Sequence, residues 1–254
     1  ANVKLLIRQG QRKGLNKLSV IKYVYVFLRR ALSGLFQRSR IRLAHQNLII
    51  SNPKVEVPYL SRSTFKMELD DLYLGYLLQQ VDSSCLLLDD LTPPKFNSSS
   101  SFEIKLRYLS NPHKRPQLNT DYIMLRALFS IGVVSKVQKI AKQLKRVYEL
   151  LEQNIKDDLS LEIVSRVKGL NNTSVYLAFK FYAFQLFFKK RQFKTITAQD
   201  ENNTSTKVIL DAAKSAQITT IGIQHGAFGK LHMGYLFTKN DYDFGALTDY
   251  TMVW

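Results

Sequence analysis

The residues best suited to acid–base chemistry lie near the end of the sequence, where Gln224, His225 and Gly226 follow an apolar, β-branched run. Histidine changes its protonation state close to neutral pH, so His225 is the strongest candidate for proton transfer. Gly226 and Gly229 allow the backbone to approach a ligand closely or to adopt positive φ. A histidine at the end of a strand also forms structural hydrogen bonds to neighbouring loops, and at this point that alternative stays open.

Two further polar clusters follow apolar runs. Asp89 and Asp90 end one such run, and Gln199, Asp200 and Glu201 follow another. If both strands are parallel to the strand before His225, the three clusters converge on one edge of the sheet, where open α/β sheets bind ligands. Asp200 or Glu201 would then orient the imidazole of His225, or would cap the helix that follows, which is at least as consistent with the sequence.

Other catalytic chemistries lack support in the sequence. It contains no phosphate-binding loop, no Gly-x-Gly-x-x-Gly fingerprint and no Gly-x-Ser-x-Gly nucleophile elbow. The single cysteine, Cys85, excludes a disulfide framework and a zinc site of the Cys–His type, and its apolar neighbours predict a small buried side chain. His232 is seven residues after His225, and two glycines lie between them. We therefore favour a structural role for His232 over a metal site shared with His225.

The elements that must position these residues alternate as in an α/β fold. Strands are predicted at 47–53, 84–90, 193–198, 219–223 and 249–254, and helices at 65–81, 122–130, 135–154, 175–188 and 205–216. Uninterrupted apolar runs favour a parallel sheet that is covered on both faces. Residues 91–120 carry loop signals and are predicted to form a surface excursion. We therefore expect a Rossmann-like parallel sheet flanked by helices.

The helix predicted over residues 175–188 is the most aromatic part of the sequence and ends in three cations. Aromatic and basic residues together can stack on the bases of single-stranded nucleic acid. Apolar side chains cover nearly its whole circumference, however, which is typical of a buried helix. We favour core packing, with the cations placed where the helix dipole stabilises them.

The net charge of +17 is concentrated at the start of the sequence. Residues 1–55 hold twelve of the 37 Lys and Arg and none of the 20 acids, so the remaining residues carry +5. This asymmetry predicts an anionic partner: lipid, nucleic acid or an acidic substrate. Residues 15–43 predict one or two amphipathic helices, suited either to an anionic membrane surface or to packing on the core with a solvated basic face. We assign 1–44 to this basic helical segment and 45–254 to the domain.

The final quarter of the sequence resembles the end of the N-terminal domain in two-domain GT-B glycosyltransferases that build bacterial surface polysaccharides. The residues that carry the resemblance are Gln224, His225 and Gly226 at the strand end, Tyr235 in the next loop, and the segment from Asp249 to Trp254. In that family Gln-His-Gly is followed by a tyrosine-containing loop and then by Asp-Tyr-x-x-x-Trp-Gly, which leads into the second domain. The match covers residues 193–254. Related Gln-His-Gly arrangements occur in nucleotide-sugar epimerases of similar architecture.

The resemblance implies an acceptor-side domain of an enzyme that moves a sugar from a nucleotide-sugar donor to a glycan or lipid-linked acceptor. A second domain after Trp254 would bind the donor, so the chain alone is expected to be inactive. His225 would face the interdomain cleft, as general base or as a donor to a phosphate or sugar oxygen. The residues expected at the substrate are Gln224, Gly226, Gly229, Asp200, Glu201, Asp89 and Tyr235.

The same resemblance implies that neither a metal nor another cofactor is needed, because GT-B enzymes generally act without a bound metal. No apolar run reaches the roughly 18 residues needed to span a bilayer, and no signal peptide is evident. We expect a cytoplasmic protein held peripherally at the inner face of the plasma membrane, where the basic segment would contact anionic lipid. The alternatives are a nucleotide-sugar epimerase-like domain, a non-catalytic membrane scaffold and a nucleic-acid-binding module, although no motif supports the last and nucleic acid is not an expected partner.

Overall fold

The fold is known from a computed structural model that describes residues 25, 27–28, 30–32, 34, 46–51, 85–90, 117–155, 157–199, 203–223 and 248–252. The strands in these ranges are β1 (Asn47–Ser51), β2 (Cys85–Asp89), β3 (Gln117–Asn119), β4 (Thr195–Ala198), β5 (Thr219–Ile223) and β6 (Tyr250–Met252). The helices are α1 (Thr120–Leu128), α2 (Ile131–Asn154), α3 (Asp158–Gly169), α4 (Asn171–Lys189) and α5 (Thr204–Lys214). The helix predicted at 65–81 lies outside the described residues.

The strands form one sheet in the order β3-β2-β1-β4-β5-β6, and every pair of neighbours is parallel. This is the strand order of the doubly wound Rossmann arrangement. Strands that follow one another in the sequence are neighbours in the sheet, with one exception. Strand β4 pairs with β1 and not with β3. The predicted Rossmann-like parallel sheet flanked by helices is confirmed.

Both faces of the central strands are buried, which explains their uninterrupted apolar sequences. In β1, Leu48 and Ile50 belong to the main core, whereas Ile49 points to a second cluster with Cys85 and Leu87 on the opposite face. This alternation follows from the two-residue period of a strand. The prediction of a small buried side chain at Cys85 is confirmed.

Helix α4 packs its aromatic side chains into the main core, as predicted. Phe184 is fully buried and Phe188 nearly so. The rings of Phe184 and Phe188 lie 5.8 Å apart, and Phe187 lies at the same distance from Phe193, just beyond the helix. Contacts at these separations stabilise the core beyond simple area burial. The buried rings are therefore not a platform on which bases could stack.

Two elements differ from the sequence-based prediction. Strand β3 lies at the end of the stretch 91–120, which was predicted to be a surface loop, and α3 was not predicted. The side chain of Asp157 caps α3 by accepting a hydrogen bond from the Ser160 amide at 2.8 Å. Asn119 and Asn203 cap α1 and α5 in the same way.

The described residues between 25 and 34 are helical and contact the domain. Arg30 and Ala31 are buried, while apolar side chains on other positions, among them Tyr25 and Leu32, are more than half exposed. A Cβ atom at Gly34 would lie 2.5 Å from the Cβ of Tyr122, so only glycine allows this close approach. Among the helices in the described ranges, none combines the length and apolar character that crossing a bilayer requires.

Candidate functional site at the carboxyl edge of the sheet

The strand order places a topological switch point at the carboxyl ends of β1 and β4. From β1 the chain proceeds to β2 on one side, and from β4 it proceeds to β5 on the other. Because the two connections diverge, the edge between these strands is the topological switch point, where open α/β sheets bind ligands. The fold therefore supplies a ligand-binding location close to the segments selected from the sequence.

Most of the predicted site residues lie outside the described part of the chain. They are Asp200, Glu201, Gln224, His225, Gly226, Gly229 and Tyr235. Of the predicted set, the described ranges contain Asp89, which is the last residue of β2. The other predicted site residues follow β4 or β5 in the sequence, and both strands are described. The positions of the strand ends in the sheet can therefore be compared.

The three strands selected from the sequence are parallel, and their ends are level. Ala198 of β4 pairs with Gly222 of β5, and Ile50 of β1 pairs with both Leu88 and Ala198. The ends of β4 and β5 are neighbours, about 4.8 Å apart. Asp89 is separated from β5 by three strand spacings, roughly 14 Å. It lies on the same edge but at the far side of the switch point.

The next residue, Asp90, belongs to a strand-end polar cluster that the sequence predicts, and it forms buried contacts that the sequence does not predict. Its Oδ1 atom accepts hydrogen bonds from Lys180 Nζ at 2.7 Å and from Thr120 Oγ1 at 3.1 Å. Ser205 Oγ lies 3.5 Å from the same oxygen and also accepts from Lys180. This Asp90 cluster joins β2, α1, α4 and α5 at the carboxyl edge. It fixes the start of two helices relative to the sheet.

Lys180 is fully buried in the middle of the aromatic helix α4. Moving an ammonium group out of water is costly unless a carboxylate and further hydrogen bonds compensate it, and Asp90 and Ser205 provide both. Thr120 and Ser205 lie in the first turns of α1 and α5, where helix dipoles stabilise a carboxylate. The available signal was a single lysine within a long apolar helix, which demands a buried partner.

A second ion pair lies beside this cluster. Arg30 Nε donates to Asp121 Oδ2, and Asn119 Nδ2 donates to the carbonyl oxygen of Arg30 at 2.8 Å. Burial raises the pKa of Asp121 above its ordinary value of 3.8, against the opposing effect of the Arg30 guanidinium. The carboxylate of Asp90 acts in the same direction as burial, while Lys180 opposes it. The two ion pairs therefore form one electrostatic unit.

Two buried oxygen atoms at this edge accept no hydrogen bond from the described residues. They are Asp90 Oδ2 and Oε1 of Gln199, the residue that follows β4 at the switch point. Buried polar atoms are nearly always hydrogen-bonded, so an acceptor left open at a switch point is suited to a ligand hydroxyl or amide. The sequence analysis placed Gln199 in this strand-end cluster but selected only the two acids after it as substrate-binding residues.

Asp249, the first residue of the Asp-Tyr-x-x-x-Trp segment, ties β6 to β5. Its Oδ2 atom accepts from the amide and the hydroxyl of Thr220 at 2.7 and 2.9 Å, and Lys214 lies 3.7 Å from Oδ1. Burial acts to raise the pKa of Asp249, but the Thr220 hydrogen bonds and the Lys214 ammonium hold it below the usual range. This aspartate therefore has a structural role in orienting the chain as it enters β6.

The donor atoms at this edge do not form a metal site within the described ranges, where no group of three or more His, Cys, Asp or Glu side chains is placed to hold an ion. Comparisons of the chain with protein families, with curated proteins and with solved structures return no match. The arrangement of the sheet edge and the sequence motifs that follow its strands are thus the basis for any assignment.

Proposed function

We propose that this chain is the acceptor-side domain of a glycosyltransferase that moves a sugar from a nucleotide-sugar donor to a glycan or lipid-linked acceptor. The observation that carries the proposal is the position of β5. This strand is parallel to β4 and next to it, one strand away from the switch point between β1 and β4, and its last residue, Ile223, directly precedes Gln224, His225 and Gly226 in the sequence. The Gln-His-Gly resemblance therefore coincides with the edge where this fold binds ligands.

In the proposed reaction His225 acts as general base. It takes the proton from an acceptor hydroxyl while that oxygen bonds to the anomeric carbon of the donor, and the bond from the anomeric carbon to the nucleotide phosphate breaks. The amide of Gln199 supplies a buried acceptor oxygen at the same edge for a second hydroxyl of the acceptor. The Asp90 cluster keeps this edge rigid by holding α1 and α5 against β2.

The test compares His225→Ala with His232→Ala in the complete natural protein. Nucleotide release from a panel of UDP-, GDP-, dTDP- and CMP-sugars is followed in the presence of lipid extract from the source cells. Loss of a general base lowers turnover by about 10²- to 10⁴-fold, so we expect a loss of that size for His225→Ala and little change for His232→Ala. Both variants should retain the thermal unfolding midpoint of the wild type.

The pH profile provides a second readout. Wild-type turnover should fall as the pH drops through the pKa of a histidine, and the residual turnover of His225→Ala should lack that limb. Normal turnover by His225→Ala would remove this residue from the mechanism. Interconversion of nucleotide sugars without nucleotide release would instead favour the epimerase-like alternative, and absence of both activities would overturn the proposal.

A further inference from the structure

An exposed apolar corner lies where α1 ends and α2 begins. Leu128 is half exposed, Phe129 is 83% exposed and Ile131 is 88% exposed. Single exposed apolar side chains are common, whereas three large ones within four residues concentrate apolar surface at one corner, and concentrated apolar surface is typical of interaction sites. We call residues 128–131 the α1–α2 corner.

A basic pocket of about 290 Å³ opens beside this corner. Its cationic side chains are Arg126 from α1 together with Lys190 and Arg191 from the end of α4, and the described residues that line it include no acid. Its floor is apolar, with Ile123 and Phe187 among the lining residues. The volume is sufficient to hold a phosphate head group, and the cations that line the pocket match its charge.

The pocket is organised for an anion. The Arg126 guanidinium lies 5.8 Å from the centre of the Tyr122 ring, and that of Arg191 lies 5.8 Å from the Phe187 ring. Such contacts orient guanidinium groups over an apolar floor. Tyr122 also lines the pocket, and its hydroxyl is buried without a hydrogen-bond partner among the described residues.

The positive charge continues from the corner along α2. The sequence from Tyr122 to Tyr148 contains no acid. Within this range, the exposed cations of α2 are Lys136, Lys139, Lys142, Lys145 and Arg146. An apolar projection surrounded by cations matches the interface of an anionic bilayer, where apolar side chains enter the acyl boundary and cations remain among the head groups.

The corner is distant from the candidate catalytic edge. Helix α1 starts directly after the carboxyl end of β3 and runs back across the sheet, and α4 ends shortly before the amino end of β4. The pocket extends along α1 to its end and contacts the last turns of α4, so its cations at Lys190 and Arg191 lie toward the amino ends of the strands. A ligand bound to these cations does not occupy the carboxyl edge at the switch point.

We propose that the α1–α2 corner docks on an anionic phospholipid bilayer, with a lipid phosphate in the basic pocket and Phe129 and Ile131 in the acyl boundary. Nucleic acid would satisfy the cations but would leave the aliphatic side chain of Ile131 exposed, whereas a bilayer satisfies both. The residues that form this surface lie outside the basic segment 1–55 in the sequence, and the inference does not depend on glycosyl transfer.

The first experiment measures whether the corner enters the bilayer. The only tryptophan is Trp254. In a Trp254→Phe background, Phe129→Trp is compared with Leu159→Trp, which replaces an exposed apolar residue of α3. With vesicles of phosphatidylcholine and about one-third phosphatidylglycerol, lipids brominated on the acyl chains should quench the tryptophan at 129 and leave that at 159 nearly unaffected. This readout isolates the corner even where the basic N-terminal segment also holds the chain on the vesicle.

The second experiment tests the pocket with matched charge changes. Arg126→Gln/Lys190→Gln/Arg191→Gln is compared with Arg166→Gln/Lys168→Gln/Lys207→Gln, which removes the same number of cations from α3 and α5. Each cation near an anionic membrane contributes about fivefold, so the pocket variant should partition onto the vesicles about 100-fold more weakly and the control less than about fivefold. Absence of quenching at 129, equal losses in the two triple variants, or binding to single-stranded oligonucleotides without vesicle binding would each overturn the proposal.

Discussion

Lys180 and Lys168 make nearly the same contact with a carboxylate in two different regions of the molecule. At the carboxyl edge of the sheet, Lys180 Nζ lies 2.7 Å from Asp90, and both side chains are almost fully buried. On the surface formed by α2 and α3, Lys168 Nζ lies 2.9 Å from Glu152, and the two side chains are 51% and 39% exposed. The distances alone do not distinguish the two ion pairs.

Solvent exposure determines what each pair contributes. An exposed pair is screened by water and contributes about 0–1 kcal/mol. A buried pair adds little net stability over an apolar pair of similar volume, yet removing one partner leaves an uncompensated charge inside the protein. The carboxyl edge is therefore sensitive to single substitutions, while the α2–α3 surface tolerates them. Rigidity of this kind suits the edge at which we place the candidate site.

The largest effect is expected for Lys180→Met. The substitution leaves Asp90 buried without a cation, which should lower the free energy of unfolding by about 3–5 kcal/mol. That is a large share of the roughly 5–15 kcal/mol that stabilises a typical domain. Urea denaturation followed by circular dichroism gives the value.

The double variant Lys180→Met/Asp90→Asn sharpens this prediction. Asparagine keeps an acceptor oxygen for Thr120 and Ser205 but removes the buried charge, so the double variant should be more stable than Lys180→Met alone. If the second substitution instead adds a further loss, the uncompensated carboxylate is not the cause of the instability. The comparison between the two lysines would then rest on packing rather than on charge.

A smaller effect, with a characteristic pH dependence, is expected for Asp121→Asn. Asparagine still accepts from Arg30 but cannot bind the proton that stabilises the folded state, so the substitution should cost at most about 1–2 kcal/mol, with the larger cost in acid. The folded-state pKa of Asp121 is raised above 3.8, mainly by burial, so the folded state binds this proton more readily than the unfolded state does. The stability contribution of Asp121 is thus fully present below 3.8 and is lost as the pH rises through the raised value.

Removal of the carboxyl group should therefore matter more in acid than at neutral pH. The deficit of Asp121→Asn relative to the wild type should grow as the pH falls from 7 towards 4, because only the wild type gains the proton-linked stability. Urea titrations of both proteins across this range measure the difference. A deficit that shrinks in acid would mean that Arg30, and not burial, determines the pKa of Asp121.

The two regions also differ in how far their sequences reveal them. The parallel strands, the aromatic core helix and the buried Cys85 follow from local periodicity and apolar runs, and the structure confirms them. Strand β3 was missed because three residues after a proline-containing loop carry too little pattern. The capping signal at Asp157 and the apolar spacing that follows it were sufficient to predict α3, but they were overlooked.

The candidate site was harder to predict because its contacts are long-range. Lys180 and Asp90 are 90 residues apart in the sequence, and no local pattern pairs them. The same applies to the pairing of β1 with β4, which creates the switch point and gives Gln199 its position. The motif around His225 could be selected from the sequence because the strand and the polar residues that follow it are adjacent in the chain. The catalytic role of His225 stays a prediction.

The smallest effect is expected for Lys168→Met on the exposed surface. Both side chains of the Lys168–Glu152 pair are more than a third exposed, so the free energy of unfolding should change by at most about 1 kcal/mol. A double-mutant cycle with Glu152→Gln measures the coupling directly, and this coupling should decline further when salt is raised, since mobile ions screen exposed charges. A coupling that matched the loss in Lys180→Met and persisted in salt would show that the α2–α3 surface is shielded from solvent in the folded protein. The contrast between the two lysines would then not be one of burial.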